Sequence, residues 1–169
     1  LIPIFYQRGG FGKNAETEQC RFISKTYNDY MALFEASKKS TSYHSHASIG
    51  IGIHSLRAVD ADNIIRLSKE RKSRTPFHIH ISEQLKEIEE CEAFLGQRPV
   101  DWLANHVKMN EDFHLVHATH LIDKEVKQIA VSNANVVLCP STEGNLGDGI
   151  FPMKSFLKQK GRWSIGTDS

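Results

Sequence analysis

The chain is poor in cysteine and has no long apolar run. Its three cysteines, Cys20, Cys91 and Cys139, are far apart in the sequence and form no C-x-x-C pair. This spacing argues against a disulfide framework, a structural zinc knuckle and the deaminases that hold zinc in a P-C-x-x-C element. The apolar stretches are far shorter than the roughly 20 residues that span a bilayer, and no signal-peptide pattern opens the sequence. We therefore expect a cytoplasmic protein with unpaired thiols and no membrane partner.

The sequence also lacks an excess of charge of either sign. It has 21 Lys and Arg residues against 20 Asp and Glu residues, a formal net charge of +1, and the two signs are interspersed. A nucleic-acid partner would need a basic face or stripe, so we expect none. No G-x-G-x-x-G run follows a strand-like segment, which removes the main support for a dinucleotide-binding fold. The hydrophobic content of 40% is ordinary for one globular domain.

Apolar runs and helix-like segments alternate along the chain. Six near-continuous apolar runs are typical of strands covered on both faces: Leu1–Tyr6, Ser48–His54, Phe77–Ile81, Phe113–His117, Asn135–Cys139 and Trp163–Thr167. Helix-like segments lie between or beside them: Thr26–Lys39, Asp60–Lys72, Glu83–Leu95, Pro99–Val107, Asp123–Ser132 and Pro152–Lys160. This order predicts an α/β fold of parallel strands with helical crossovers, either a doubly wound sheet or a (β/α)₈ barrel.

The number of predicted strands is two short of a closed (β/α)₈ barrel. The sequence also starts and stops in strand-like runs, whereas the ends of a complete domain usually lie in exposed segments. We therefore expect residues 1–169 to be an incomplete part of a single domain.

Nine histidines are the unusual feature of the composition, and several stand at the ends of predicted strands. In a (β/α)₈ barrel the active site is built from the C-terminal strand ends and the loops that follow them. The polar residues predicted there include His54, Arg57, His80, Glu83, His117, Asp168 and Ser169. Histidines and an aspartate on four strand ends form a donor set suited to zinc or a similar divalent metal. The sequence therefore predicts a metal-dependent hydrolase site.

Each of these residues taken alone also has a structural explanation. Single strand-end groups are commonly hydrogen-bonded structural residues, first-turn helix acids or helix caps. His78 lies on the same strand face as His80, but only His80 stands near the C-terminal end. Four further histidines lie away from the predicted mouth and are expected to be structural: His44, His46, His106 and His114. The functional prediction depends on the joint arrangement.

The ordered set of His80 in H-I-H-I-S-E, His117 in L-V-H-A-T-H and Asp168 in G-T-D-S resembles the amidohydrolase superfamily. In that superfamily a metal lies at the top of a (β/α)₈ barrel, held by an H-x-H from the first strand, a histidine from the fifth and an aspartate from the eighth. The resemblance implies that His80 and Asp168 are metal ligands and that His117, on the sixth strand, assists. It also implies a partial (β/α)₈ TIM barrel, strands 3–8, in which Leu1–Tyr6 is the third strand and Trp163–Thr167 the eighth. The N-terminal strands with their H-x-H motif are missing from this sequence.

Four runs are similar to a narrower family, the formimidoylglutamate deiminases: His54–Val59, His78–Gln84, Gly96–Leu103 and Ser141–Pro152. That family converts N-formimino-L-glutamate and water to N-formyl-L-glutamate and ammonia in histidine degradation. The resemblance implies that the full-length enzyme binds one divalent metal, with Zn as the first choice, and acts on a small-molecule substrate. It also implies that the full-length enzyme is a homodimer. The catalytic roles expected on this basis fall on Glu83, His117 and Asp168. The expected substrate contacts are His54, Arg57 and Ser169.

Two other interpretations stay open. Another amidohydrolase deaminase would act on a purine, a pyrimidine or a related cyclic amidine, but a neutral base offers no carboxylate for the Arg57 guanidinium to bind. Alternatively, the chain is an inert barrel fragment or a subunit that binds a partner through open sheet edges. Because His80 and Asp168 alone do not complete a catalytic zinc site, we expect the 169 residues by themselves to be inactive. The Gly-rich run Ser141–Gly149 is polar, and we expect a flexible loop there that covers the mouth.

Overall fold

The computed structural model describes residues 1–168, which form two compact units, Leu1–His78 and Ile79 onward. The strands are β1 Ile4–Phe5, β2 Ile51–Ile53, β3 Phe77–Ile81, β4 Phe113–His117, β5 Asn135–Leu138 and β6 Arg162–Ile165. The α-helices are α1 Tyr27–Thr41, α2 Ala61–Glu70, α3 Leu85–Leu95, α4 Pro99–His106, α5 Asp123–Ser132, α6 Pro140–Leu146 and α7 Met153–Lys158. A 3₁₀ helix spans Thr17–Phe22.

Within each unit the hydrogen-bonded order of the strands follows the chain. In the first unit β1 pairs in parallel with β2, with Ile4 opposite Gly52. In the second unit β4, β5 and β6 are parallel, and Val136 stands opposite Leu115 on one side and Trp163 on the other. Parallel neighbours in chain order require a crossover between each pair. The predicted α/β class is confirmed.

The core of the first unit is built on a pair of stacked rings. Phe5 and Tyr30 are fully buried, and their ring centroids lie 4.7 Å apart. The Tyr30 hydroxyl donates to the Pro3 carbonyl at 3.2 Å and accepts from the Gly52 amide at 3.3 Å. A Cβ at Gly52 would lie 2.9 Å from the main-chain carbonyl oxygen of Pro3, so this close approach of two strands requires glycine.

Strands β4 and β5 of the second unit are largely buried, as their apolar sequences predict. Strand β6 is exposed at all four residues, so the prediction that Trp163–Thr167 is covered on both faces is wrong. Leu115 on β4 and Val136 on β5 are fully buried, and Ile129 of α5 is buried as well. Backbone pairing continues past the strand ends, because the Ala118 amide donates to the Ile81 carbonyl at 3.0 Å. The C-terminal ends of β3 and β4 therefore lie side by side.

The predicted element bounds agree with the structure at three elements: Phe77–Ile81, Phe113–His117 and Asp123–Ser132. The first strand is much shorter than the predicted run Leu1–Tyr6, and Pro3 has no amide N–H with which to extend the ladder. Within residues 1–168, no helix combines the length and apolar character needed to cross a membrane.

The Gly-rich run after β5 is not a loop throughout, contrary to the prediction for Ser141–Gly149. Its first six residues, as far as Leu146, belong to helix α6. Pro140 occupies the first turn, where its missing N–H leaves no hydrogen bond unmade. The helix ends at Gly147, whose φ of 69° lies in the left-handed region that glycine adopts without strain. A helix this short and polar carries no apolar periodicity, which is why the sequence pattern did not indicate it.

Candidate active site

Side chains from three strand ends converge in the second unit. His80 lies near the end of β3, His117 is the last residue of β4, and Asp168 follows β6. His80 Nε2 is 3.3 Å from Asp168 Oδ1, and His117 Nε2 is 3.7 Å from Asp168 Oδ2. The two imidazole rings have their centroids 5.5 Å apart. The structure thus brings three of the predicted site residues together.

Glu83 joins this cluster from the turn between β3 and α3. Its Oε1 lies 3.7 Å from His117 Nε2, the ring atom that also faces Asp168. The Glu83 side chain is 10% exposed and that of His117 only 1%, so their charges are poorly screened by water. His80 and Asp168 are more open to solvent. A carboxylate beside a buried imidazole nitrogen is an arrangement that can hold or transfer a proton.

Glu143, to which sequence reasoning assigned no role, contacts the opposite side of the His117 ring. Its Oε1 lies 3.2 Å from His117 Nδ1 and accepts the Cys139 amide N–H at 2.8 Å. Because a carboxylate can only accept, this contact assigns the proton to Nδ1 and a lone pair to Nε2 in the neutral ring. A sequence signal existed, since Pro140 followed by an acid is typical of a helix start.

Cys139 lies at the end of β5 and is buried. Burial, followed by the negative charges of Asp168, Glu143 and Glu83, raises the pKa of its thiol to about 11. A thiol with this pKa is protonated at neutral pH in the metal-free chain, which argues against Cys139 as a nucleophile. Its sulfur lies within 4.8 Å of donor atoms of His117 and Glu143, but the Glu143 Oε1 already accepts from the Cys139 amide and faces His117 Nδ1.

A second buried carboxylate holds the turn that carries Glu83. Glu87 is 2% exposed, and its Oε1 and Oε2 accept the amide N–H groups of Ser82 at 3.2 Å and of Glu83 at 2.9 Å. Glu87 lies in the first turn of α3, where the helix dipole favours negative charge. Helix α3, through Glu87, therefore fixes the main chain at Glu83.

Left-handed backbone occurs at the strand ends that form the cluster. φ is 51° at Ser82, 69° at His117, 52° at Ala118 and 58° at Asp168. Each such non-glycine residue costs of order 1–3 kcal/mol, and strain of this kind is concentrated at functional sites. The strained positions include two members of the cluster and the residue before Glu83. This supports a functional role for the cluster over a packing role.

The donor atoms of the cluster fit a divalent transition metal. One donor atom from each of His80, His117 and Asp168 lies within 4.8 Å of the others. Imidazole nitrogen and carboxylate oxygen are typical zinc donors. A carboxylate that binds the second ring nitrogen, as Glu143 does for His117, is the usual way in which a ligand histidine is oriented.

The predicted substrate-binding residues His54 and Arg57 lie in the first unit, after β2. The His54 ring stacks on Tyr6 with centroids 4.4 Å apart, and its Nδ1 lies 3.0 Å from Ser55 Oγ. Burial raises the pKa of the Tyr6 phenol, and the positive charge of Arg57 acts in the opposite direction. Tyr6 therefore shares its surroundings with both predicted residues, although sequence reasoning gave it no role. Ser169, the third predicted substrate contact, lies outside the described residues.

The chain is similar to several known proteins. The formimidoylglutamate deiminase of Pseudomonas aeruginosa is 43% identical over 170 aligned positions, which cover 100% of this chain and 37% of that protein. The crystal structure of an amidohydrolase from Brucella melitensis is 41% identical, with a TM-score of 0.89 over 99% of this chain and 37% of that one. An adenosine deaminase from Xanthomonas campestris, crystallised with bound zinc, shares the fold at 22% identity and a TM-score of 0.79 over 99% and 36% of the two chains.

The length of the matches agrees with the prediction of a partial barrel. The chain spans 37% of the Pseudomonas relative and of the Brucella structure, while nearly all of its own residues are matched. The family model described as "Amidohydrolase family" matches residues 12–169. The resemblance predicted from the strand-end motifs is thereby confirmed, and the chain belongs to the amidohydrolase family.

Proposed function

We propose that the full-length protein that carries this chain is a metal-dependent hydrolase of C–N bonds that deiminates N-formimino-L-glutamate in histidine degradation. The products are N-formyl-L-glutamate and ammonia. The observation that carries the reaction class is the approach of two carboxylates, Glu83 and Asp168, to His117 Nε2 at 3.7 Å each. The substrate is taken from the 43% identity of the whole chain to the Pseudomonas deiminase.

The reaction joins a water oxygen to the formimino carbon and breaks the bond from that carbon to the imino nitrogen. Both protons of the water must end on that nitrogen, because it departs as ammonia. We assign Asp168 to accept one proton of the water and to give it to the departing nitrogen, and Glu83 to carry the other proton from the attacking oxygen to that nitrogen. A positioned acid–base group of this kind contributes roughly 10²–10⁴-fold. His117 holds the water by accepting its hydrogen bond at Nε2.

We propose that His80 and Asp168 bind one divalent metal, with zinc as the first choice, and that His117 lies next to this metal. When bound, such a metal lowers the pKa of a water molecule to about 7, so a nucleophile is available at neutral pH. A catalytic zinc site usually has three protein ligands and one open position. We therefore propose that further ligands come from residues outside these 169 and that the 169 residues alone are inactive.

We assign recognition of the substrate's two carboxylates to Arg57, His54 and Ser169. Arg57 presents a planar guanidinium that matches a carboxylate with two parallel hydrogen bonds, a geometry that lysine does not reproduce. The positive charge of Arg57 acts to lower the pKa of the Tyr6 phenol, against the larger effect of burial, so Arg57 lies near the stacked rings of Tyr6 and His54.

Replacing Arg57 by methionine is expected to raise KM for N-formimino-L-glutamate by about 10- to 100-fold, the range expected when hydrogen bonds to a charged group are lost. We expect kcat to change much less, because Arg57 is placed on the carboxylates and not on the reacting carbon. Steady-state kinetics of the full-length variant measure both constants. Arg66→Met, which removes an exposed arginine paired with Glu70 on α2, is the matched control. An unchanged KM in Arg57→Met would remove Arg57 from the carboxylate site.

The main rival is another amidohydrolase deaminase that acts on a purine, a pyrimidine or a related cyclic amidine, and the Xanthomonas structure is named as an adenosine deaminase. At 22% identity that structure shows the shared fold alone. The substrates differ in charge, since a neutral base gives Arg57 no carboxylate to bind. The inert-fragment interpretation applies to the 169 residues in isolation and not to the full-length protein.

We further propose that the enzyme is cytoplasmic and homodimeric, with no nucleic-acid partner. The three cysteines are unpaired, in agreement with a reducing compartment. The net charge of +1 offers little attraction to a phosphate backbone.

The deciding experiment is ammonia release from N-formimino-L-glutamate by the full-length protein, with and without a chelator, with adenine and guanine compounds in parallel. We expect release from the formimino compound alone, and we expect the chelator to abolish it. Release from a purine instead would replace the proposed substrate and keep the reaction class. No release by folded, metal-loaded enzyme from any of these compounds would overturn the proposal.

A further inference from the structure

The segment after β2 that carries Arg57 is hydrogen-bonded to the segment after β1. The amides of Gln7 and Arg8 both donate to the Ala58 carbonyl, at 2.8 and 3.1 Å. The residues on either side of Arg57 are buried, Leu56 at 2% and Ala58 at 1% exposure. The main chain at Arg57 is therefore held on both sides, while its side chain is half-buried.

The Arg8 side chain adds three directed hydrogen bonds to the same segment. Its Nε donates to the Arg57 carbonyl at 3.1 Å, and its Nη2 donates to the Val59 carbonyl at 3.3 Å. Its Nη1 forms an ion pair with Asp60 Oδ1 at 2.6 Å. One guanidinium therefore donates hydrogen bonds to the main chain at residues 57 and 59 and to the side chain of residue 60.

Two features distinguish this contact from an ordinary surface ion pair. Most of its bonds go to main-chain carbonyls, so their geometry constrains the backbone and not a mobile side chain. The Arg8 side chain is 20% exposed, whereas Asp60 is 54% exposed, and an exposed pair by itself contributes little to stability. Lysine keeps the charge but cannot span three acceptors, because it lacks the planar fork.

We infer that Arg8 is a positioning residue for the carboxylate-binding site: it acts through Arg57, by fixing the main chain of residues 57–60. This rests on the proposed function, in which Arg57 binds a carboxylate of the substrate. Bidentate binding requires the guanidinium to meet the carboxylate in one orientation. A shift of about 1 Å in the supporting backbone is enough to weaken such an alignment strongly.

The test is Arg8→Lys in the full-length, metal-loaded enzyme. We expect KM for N-formimino-L-glutamate to rise about tenfold while kcat stays within about twofold of wild type. KM does not depend on the fraction of enzyme that is folded, so a purely structural defect lowers the apparent kcat and leaves KM unchanged. Arg66→Lys makes the same substitution at an exposed arginine of the same unit that pairs with Glu70, and it is the matched control, with both constants unchanged.

The double variant Arg8→Lys, Arg57→Met separates positioning from direct contact. If Arg8 acts through Arg57, adding Arg8→Lys to Arg57→Met produces no further rise in KM, because the group being positioned is already gone. Effects that multiply would show that Arg8 acts independently of Arg57 and would overturn the inference. An unchanged KM in the single variant Arg8→Lys would overturn it as well.

A second variant covers the case in which Arg8→Lys does not fold. Asp60→Ala removes the ion pair alone, and it costs no helix cap because the Asp60 side chain makes no capping bond to α2. We expect a smaller rise in KM, and an unchanged value would contradict the inference.

Wild-type enzyme is measured beside all variants. If wild type releases no ammonia, the proposed function fails and the inference with it; if wild type is active and the variants keep its KM, the inference alone fails.

Discussion

Glu83→Gln is expected to reduce kcat by about 10²–10⁴-fold, the contribution typical of one positioned acid–base group. Glutamine keeps the size and polarity of the side chain but cannot take up and release a proton. The carboxylate lies 3.7 Å from His117 Nε2 and is 10% exposed, so bulk water is poorly placed to replace it. Metal content is expected to stay near wild type, because the donor cluster consists of His80, His117 and Asp168. Ammonia release and elemental analysis of the same preparation check both statements.

The control for this variant is Glu89→Gln, an exposed acid on the same helix, which is expected to keep full activity. Both variants change one carboxylate to an amide on or just before α3, so a difference between them reflects position and not charge. Wild-type turnover in Glu83→Gln would show that the acid–base assignment is wrong.

His80→Ala is expected to lose metal and activity together. Removing groups that only support metal ligands typically costs 10–100-fold in metal affinity or activity, so we expect the loss of a ligand to exceed about 100-fold. The His80 ring nitrogen lies 3.3 Å from Asp168 Oδ1, closer than His117 Nε2 is to Asp168 Oδ2 at 3.7 Å. Titration of the metal-free variant with zinc, followed by an activity assay, measures both effects.

His106→Ala provides the matched histidine control. His106 ends helix α4, where its Nδ1 contacts the Trp102 carbonyl at 2.8 Å and its ring stacks on the Trp102 indole. Its loss is expected to change stability slightly and leave metal affinity unchanged. If His80→Ala binds metal as tightly as His106→Ala does, His80 is not a ligand.

The fold was predictable where apolar pattern and burial agree. Apolar residues alternate with histidines in β3 and make up three of the five residues of β4, and the structure ends both strands where the predicted runs end. Helix α6 could not be predicted in the same way, since its residues are polar and none of them is buried. Its existence depends on Pro140 at one end and Gly147 at the other, which are local backbone effects.

The candidate site was predictable as a set of strand-end residues but not as a network. His80, His117, Asp168 and Glu83 could be selected because parallel strands bring their C-terminal ends to one edge. Glu143 was not selected: Pro140 followed by an acid indicates a helix start, but it does not indicate a contact with His117, which is 26 positions away in the sequence. That His54, Arg57 and Ser169 bind substrate stays a prediction.

The same limit applies to groups that bind the main chain. Glu87 reads as an ordinary first-turn acid and Arg8 as a surface charge. Their roles depend on which amides and carbonyls the fold turns toward them. Hydrogen bonds from side chains to distant main-chain groups leave no periodic trace in a sequence.

The carboxylate of Glu87 has a consequence for protein engineering. It belongs to helix α3, while the amides from which it accepts hydrogen bonds, those of Ser82 and Glu83, belong to the turn that follows strand β3. Strand, turn and first helical turn thus share one junction. The smallest exchangeable module at this edge is therefore the whole strand–turn–helix unit. A graft of the turn alone would transfer Glu83 without Glu87, whose carboxylate holds the main chain at Glu83.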